Sequence, residues 1–247
     1  MTLTQKTRKR TRAEEAILRV LLSFQLGWTP KIEDSFRTLV RTILNQNTSW
    51  QNEAIAFRRL EEMIGVTPEA ISGAKISEIA EAIKPSGMYN LRSKILKQVA
   101  AGVIERFDGD LSQTVSKPYI AAREILMTLP GVGTKTADVV LLFNAGKQVI
   151  PVDRHIERIT KRLELVPKNA PYDTIRLNLE ESTTPKNYLE THIKLIQFGR
   201  DICRAQNPKC SECILNNICP YPQQTTPKQA PNNKQPQTNP RNPKQAK

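Results

Sequence analysis

A chain of 247 residues with 37 Lys and Arg against 24 Asp and Glu carries a formal charge of +13 and a pI of about 9.7. That balance points to a polyanionic partner, with nucleic acid first, because clustered cations gain free energy by releasing phosphate counterions. It excludes a membrane-spanning chain, since no apolar stretch approaches roughly twenty residues, and a disulfide-stapled secreted domain, since all four cysteines lie between Cys203 and Cys219.

In chain order, residues 1–12 form a basic tail with Lys6, Arg8, Lys9, Arg10 and Arg12 and no acid. No signal-peptide core follows, because Ala13 to Leu26 includes Glu14, Glu15 and Arg19, so the protein is expected to be soluble and intracellular. A first helix is expected to open after Thr11, with Glu14 and Glu15 in its first turn and Ile17, Leu18, Leu21 and Leu22 on one face. Phe36, Leu39, Val40, Ile43 and Leu44 repeat at helical spacing, and Trp50 beyond them is expected in the core, the alternative being a groove contact. Leu91, Ile95, Val99 and Val103 make another stripe. Ile156, Ile159 and Leu163 make the next, then Tyr188, Leu189, His192, Leu195 and Ile196, where His192 is expected to be structural. Punctuation falls at Gly27 to Pro30, Gly65 to Pro68, Pro85 to Gly87, Pro130 to Gly133 and Pro167 to Pro171. Sustained strand-like alternation is absent. About ten short helices and an all-α fold are expected.

The segment 222–247 is rich in Pro, Gln, Asn, Thr and Lys, holds no large apolar residue and is expected to be disordered, either solvated or a weak tether to DNA. Ten of the 37 basic residues sit in the two tails, leaving 27 against 24 acidic ones in the body. A DNA-binding face on the body must therefore come from where charges are placed.

Three segments carry chemistry. The first is LPGVGTKTADVV, Leu129 to Val140. A helix is expected to end near Thr128, and Pro130, Gly131 and Gly133 to make a tight turn in which both glycines permit positive φ. A second helix then starts at Thr134. The open N–H groups of Gly131, Gly133 and Thr134, with the positive end of the helix dipole, suit a DNA phosphate; the plainer alternative is an ordinary helical hairpin. Lys135 lies in the first turn, where the dipole opposes a cation. If it is partly desolvated, its pKa falls and it offers a neutral amine for Schiff-base chemistry. Otherwise it is an exposed phosphate contact.

The second segment is VIPVDRHIERI, in which Asp153 precedes a helix. As a favoured N-cap residue it needs no further role, but a cap stays ionised and so is compatible with a catalytic carboxylate near an amine. The third is Cys203, Cys210, Cys213 and Cys219, spaced C-x6-C-x2-C-x5-C. Four thiolates in one loop can ligate zinc or a cubane cluster; a zinc ribbon would normally show two CxxC knuckles, and this segment has one.

Taken together, LPGVGTKTADVV and PVDRHIER resemble the helix-hairpin-helix, Gly/Pro-rich loop and aspartate of the endonuclease III superfamily. The resemblance extends to ILNQNTS (Ile43 to Ser49), GMYNLRSK (Gly87 to Lys94) and the cysteine spacing, and spans roughly Phe36 to Tyr221. It implies Lys135 as nucleophile, Asp153 as its assistant, Gln46 reaching into the space a flipped base vacates, and a [4Fe–4S] cluster on the four cysteines. The cluster would hold Arg204 and Lys209 against the DNA backbone. It further implies two helical lobes with a DNA cleft between them: residues 13–35 packing with a cluster-containing domain at 153–221, and a helical barrel at 36–152. The implied activity is a bifunctional glycosylase and AP lyase on duplex DNA with damaged bases, oxidised pyrimidines foremost, acting as a monomer. Thr134 and Arg154 depart from the commonest family residues beside the catalytic pair and bear on substrate preference, while His155 is expected to pack. The alternatives are a monofunctional mismatch glycosylase, against which Lys135 argues, and a non-catalytic iron–sulfur DNA-binding protein.

Overall fold

A computed structural model of the chain describes residues 9–24 and 33–222. The expectations for residues 1–8, the Gly27–Pro30 break and the tail from residue 223 lie outside the described residues. Every regular element among the described residues is helical: α1 Arg12–Ser23, α2 Ser35–Leu44, α3 Trp50–Met63, α4 Pro68–Gly73, α5 Ile76–Ala82, α6 Tyr89–Phe107, α7 Ser112–Ser116, α8 Tyr119–Met127, α9 Thr134–Ala145, α10 Arg154–Arg162, α11 Tyr172–Glu181 and α12 Tyr188–Asp201. The fold is all-α. The tally exceeds about ten because α4, α5 and α7 are single turns or two, too short to show a period, and α6 is a long helix of 19 residues.

Helix starts follow side-chain chemistry. Thr11 and Glu14 form a reciprocal capping box on α1, and Asp34, Ser49 and Asp153 accept backbone N–H groups at the starts of α2, α3 and α10. Such caps satisfy donors that the helix cannot and are worth about 1 kcal/mol each.

Burial then divides the helices between two cores. One runs from Phe36 to Leu141 and gathers α2 to α9; the other joins Ala16, Ile17 and Val20 of α1 to residues from Leu142 to Leu215. The change of core falls inside α9, which is buried on nearly every side and carries Ala137, Val140 and Leu141 into one core and Leu142 into the other. A helix apolar all round belongs where two layers meet. Lys135 thus stands on the element that both lobes grip.

Three expectations about burial are corrected. Leu22 is 73% exposed, because α1 buries Ala13, Ala16, Ile17 and Val20 instead. Leu91 is 52% exposed, and α6 packs through Leu96, Val99, Ala100 and Val103, with Ile95 at the edge. Trp50 is 54% exposed and outside both cores. The stripe of α2 (Phe36, Leu39, Val40, Ile43, Leu44) is buried throughout, as expected.

Candidate active site

The hairpin of α8 and α9 turns at Leu129 to Gly133. Gly131 takes φ +72°, and a Cβ there would meet Ile95 Cγ2 of α6 at 2.7 Å, so this position requires glycine. Gly133, at φ −94°, is an extended N-cap; only one of the two glycines uses positive φ. No side chain caps α9, so its first N–H groups face outward beside the exposed Gly131 and Gly133 and the half-buried Thr134. That arrangement suits an anion.

Lys135 and Asp153 come together from different elements. Two cavities, of about 360 and 630 Å³, share Asn45, Lys135, Asp153 and Arg200 in their walls. Burial pushes the Lys135 amine below its ordinary pKa; Asp153 opposes that shift and the Arg200 charge adds to it. The direction is the one a nucleophilic lysine needs, and its largest cause is desolvation. Asp153 caps α10, accepting from His155 N and Ile156 N at 2.9 Å each through Oδ1 alone, which leaves Oδ2 without a cap bond. The cap and the cavity position coexist.

Supporting side chains fix both groups. His192 Nδ1 donates to the Pro151 carbonyl at 2.9 Å, tying α12 to the segment that enters Asp153. Burial lowers its pKa to about 4, so it stays neutral beside Lys135. His155 packs on Gly199, where a Cβ would come within 2.7 Å of its own, and Arg158 spans His155 Nδ1, the Gly199 carbonyl and the Cys203 carbonyl at 2.8 to 3.0 Å. A second strut lies behind α9. Asp138, fully buried one turn after Lys135, accepts from Tyr119 Oη at 3.0 Å and Tyr172 Oη at 2.8 Å, with Arg123 Nε 3.1 Å away as an ion pair. Tyr172 Oη in turn accepts the Val152 N–H at 3.3 Å. This chain joins the lysine helix to the residue before Asp153. Tyr172→Phe removes one donor to Asp138 and the acceptor of Val152, and is expected to cost 1–3 kcal/mol, about the penalty for unmade buried hydrogen bonds. Asp138→Ala, which leaves two half-buried tyrosine hydroxyls without their acceptor and Arg123 with Asp173 alone (3.0 Å), is expected to cost about 3–5 kcal/mol. Thermal unfolding checks both, and an unchanged Tm for Asp138→Ala would show the network to be idle.

Gln46 lines the larger cavity, and its Nε2 reaches the Gly131 carbonyl at 3.4 Å. Its backbone is held from below by Arg92, buried in α6, which donates to the carbonyls of Gln46, Ser86 and Gly87. The same cavity has Trp50, Arg154 and His155 on its wall. The smaller one is mixed: Val139, Phe143, Ile193 and Ile196 line it with Thr42, Asn45 and Gln197, and Arg41 of α2 is clamped there between Glu33 (2.6 Å) and Glu53 (2.8 Å). The sequence carried no signal for Arg41, Glu53, Asp138, Tyr172 or Arg200 as site residues, because each matters only through neighbours distant in the chain.

The four cysteines are free thiols around one small cavity together with Arg162, Ile202 and Tyr221. They border that space without converging on a point: among the described residues no His, Cys, Asp or Glu group is close enough for a single metal ion. Arg162 Nη1 lies 3.4 Å from Cys203 Sγ and its planar head covers Tyr221 at 4.1 Å. An all-sulfur donor set with a cationic donor to sulfur fits a cubane of several irons. Burial raises the Cys213 and Cys219 thiols, unlike reactive cysteines. Iron binding must therefore displace protons. Arg204 is exposed on this loop, whereas Lys209 is half-buried and paired with Glu212 at 3.4 Å; neither borders the two cavities that hold Lys135 and Asp153.

Comparison with known proteins agrees with this geometry. Residues 40–185 match the HhH-GPD superfamily base excision DNA repair protein profile, and residues 203–219 match the iron–sulfur binding domain of endonuclease III. The chain is 32% identical to endonuclease III of Sulfolobus acidocaldarius, over 77% of this chain and 84% of that one. It is 34% identical to endonuclease III of Thermotoga maritima, over 77% and 85%. Among solved structures it is similar to a trapped endonuclease III–DNA covalent intermediate and to a non-covalent endonuclease III–DNA complex, each at TM-score 0.74 and 25% identity. These cover 87% of this chain and 99% and 98% of theirs. The chain belongs to the HhH-GPD superfamily and within it to the endonuclease III family, the [4Fe–4S] DNA glycosylases and AP lyases of base excision repair.

Proposed function

We propose that this enzyme removes oxidised pyrimidines from duplex DNA, with Lys135 as nucleophile and Asp153 as its assisting carboxylate. The observation that carries the proposal is a desolvated amine and a carboxylate that share the walls of the same two cavities. A base inside a duplex is out of reach, so the nucleotide is flipped at a cost of a few kcal/mol. The 360 Å³ cavity receives the base. Its lining sets Thr42, Asn45, Glu53 and Gln197 among the apolar Val139, Phe143 and Ile193, which suits a flat ring that oxidation has given extra hydroxyl or carbonyl groups. Gln46 enters the vacated space. The neutral Lys135 amine attacks C1′, the C1′–N bond breaks with its electron pair leaving on the base, and the Asp153 charge stabilises the oxocarbenium character that develops.

The backbone N–H groups of Gly131, Gly133 and Thr134 hold a phosphate. Arg204 supplies a second backbone contact, and Lys209 a weaker one because Glu212 neutralises part of its charge. The cluster supplies a rigid crosslink on Cys203, Cys210, Cys213 and Cys219, and Arg158 passes that rigidity to His155 beside Asp153. One chain holds both catalytic groups, which supports action as a monomer. Free thiols and a DNA substrate support an intracellular location, and no described helix is long and apolar enough to cross a membrane.

Two measurements test this reading. Single-turnover excision over a panel of single-lesion duplexes is expected to favour ring-saturated and hydroxylated pyrimidines. Excision confined to mismatched adenine or thymine would replace the assignment. Purified protein is expected to carry about four irons per chain, and Cys213→Ser to lose iron and DNA affinity together. One zinc per chain would overturn the ligand set.

A further inference from the structure

The half-buried arginines near the site have their charges met inside the protein. Arg41 has Glu33 and Glu53; Arg158 and Arg162 have carbonyls of the cluster loop. Arg200 does not. It sits in the last turn of α12, half-buried, in the wall of both cavities beside Lys135 and Asp153. Among the described residues no hydrogen bond or ion pair holds its guanidinium. Asp153, Asp201 and Glu53 act on it only at longer range, and burial disfavours its charged form. A guanidinium partly withdrawn from water without a partner is a cost to the fold that an anionic ligand would remove.

We infer that Arg200 binds the phosphate on the 3′ side of the lesion nucleotide and stabilises it as the leaving group of strand cleavage. The inference rests on the reading of Lys135 as the Schiff-base nucleophile. Near a flipped sugar the strong anions are its two flanking phosphates, and a guanidinium presents a fork of donors matched to phosphate oxygens. Chemistry selects the 3′ one. In β-elimination a base removes the C2′ proton, the C2′–H electrons form the C2′–C3′ double bond, and the C3′–O bond breaks with its electron pair leaving on oxygen. The phosphodiester monoanion becomes a phosphomonoester bearing more negative charge, and only a group whose hold tightens as that charge grows accelerates the step.

The test uses the full chain and duplexes with a tetrahydrofuran abasic analogue, which can neither form a Schiff base nor be cleaved. One duplex is unmodified, one carries a neutral methylphosphonate 3′ to the analogue, and one carries it 5′. Wild type is expected to bind the 3′-neutral duplex about tenfold more weakly. Arg200→Gln is expected to bind the unmodified duplex weakly by the same factor and to lose nothing further when the 3′ phosphate is neutralised. Its salt dependence, log Kobs against log[salt], is expected to be shallower by about 0.9, the value of one phosphate contact. On a true abasic duplex Arg200→Gln is expected to keep borohydride trapping and slow β-elimination. Arg200→Lys, which keeps the charge without the fork, is expected to fall between and serves if the glutamine variant does not fold. Equal 3′ sensitivity in wild type and variant would overturn the contact, as would an upward shift of the excision pH profile with no change in salt slope, which would make Arg200 only a modulator of Lys135. Coupling to the 5′ phosphate would overturn the leaving-group role. Failure of the wild type to be trapped at all would overturn the Lys135 reading while leaving the binding cycle to report on Arg200.

Discussion

Borohydride added while the enzyme acts on an abasic duplex is expected to leave wild-type protein covalently attached to DNA, and Lys135→Ala to leave none. Loss of a covalent nucleophile lowers turnover by about three orders of magnitude or more. Binding is expected to persist, because the backbone donors of the hairpin and the arginines of the cleft remain. Trapping by wild type is expected to rise with pH and then level, since only the neutral amine attacks, and to level below the ordinary lysine range because burial and Arg200 favour loss of the proton. The same shift has a sign for stability. A cation whose folded pKa is depressed destabilises the fold at every pH below its unfolded value, so Lys135→Met, of similar bulk and no charge, is expected to raise Tm as it abolishes trapping. A fall in Tm would mean that the lysine is not strained. Full trapping by Lys135→Ala would end the assignment.

The second large effect is at Asp153. Both cap bonds go to Oδ1, and asparagine caps about as well as aspartate, so Asp153→Asn keeps the start of α10 and is expected to leave Tm nearly unchanged. Excision is nevertheless expected to slow by about 10²–10⁴, because an amide neither stabilises an oxocarbenium ion nor accepts a proton. Removing the charge that holds up the Lys135 pKa is also expected to move the trapping plateau to lower pH. Trapping near neutral pH is then impaired less than base excision. Near-normal excision by Asp153→Asn would reduce the residue to a cap.

The sequence by itself determined what depends on short separations along the chain. Phe36 to Leu44 repeat at helical spacing over a complete face, and α2 buries them all. Thr11 with Glu14, and Asp153 before α10, announce caps because a cap is made within three or four residues. Pro130 and Gly131 determine the hairpin turn through φ alone, and the cysteine spacing specifies its loop because all four ligands lie within residues 203–219.

Only the tertiary structure decided which apolar faces find a partner and which charges lose their water. Leu22, Leu91 and Trp50 have the same chemistry as their buried neighbours. They stay exposed because none of the described helices covers that side, and a periodicity cannot say what lies opposite. The lysine followed the same rule: its position in α9 marked it as a candidate amine, but the desolvation that lowers its pKa comes from packing between the two cores. Asp138 meets Tyr119 and Tyr172 only once α8, α9 and α11 converge. Arg200 stands beside Asp153 only because α12 packs on α10. Desolvation and long-range pairing are properties of the packed chain, so the residues they govern carry no local mark.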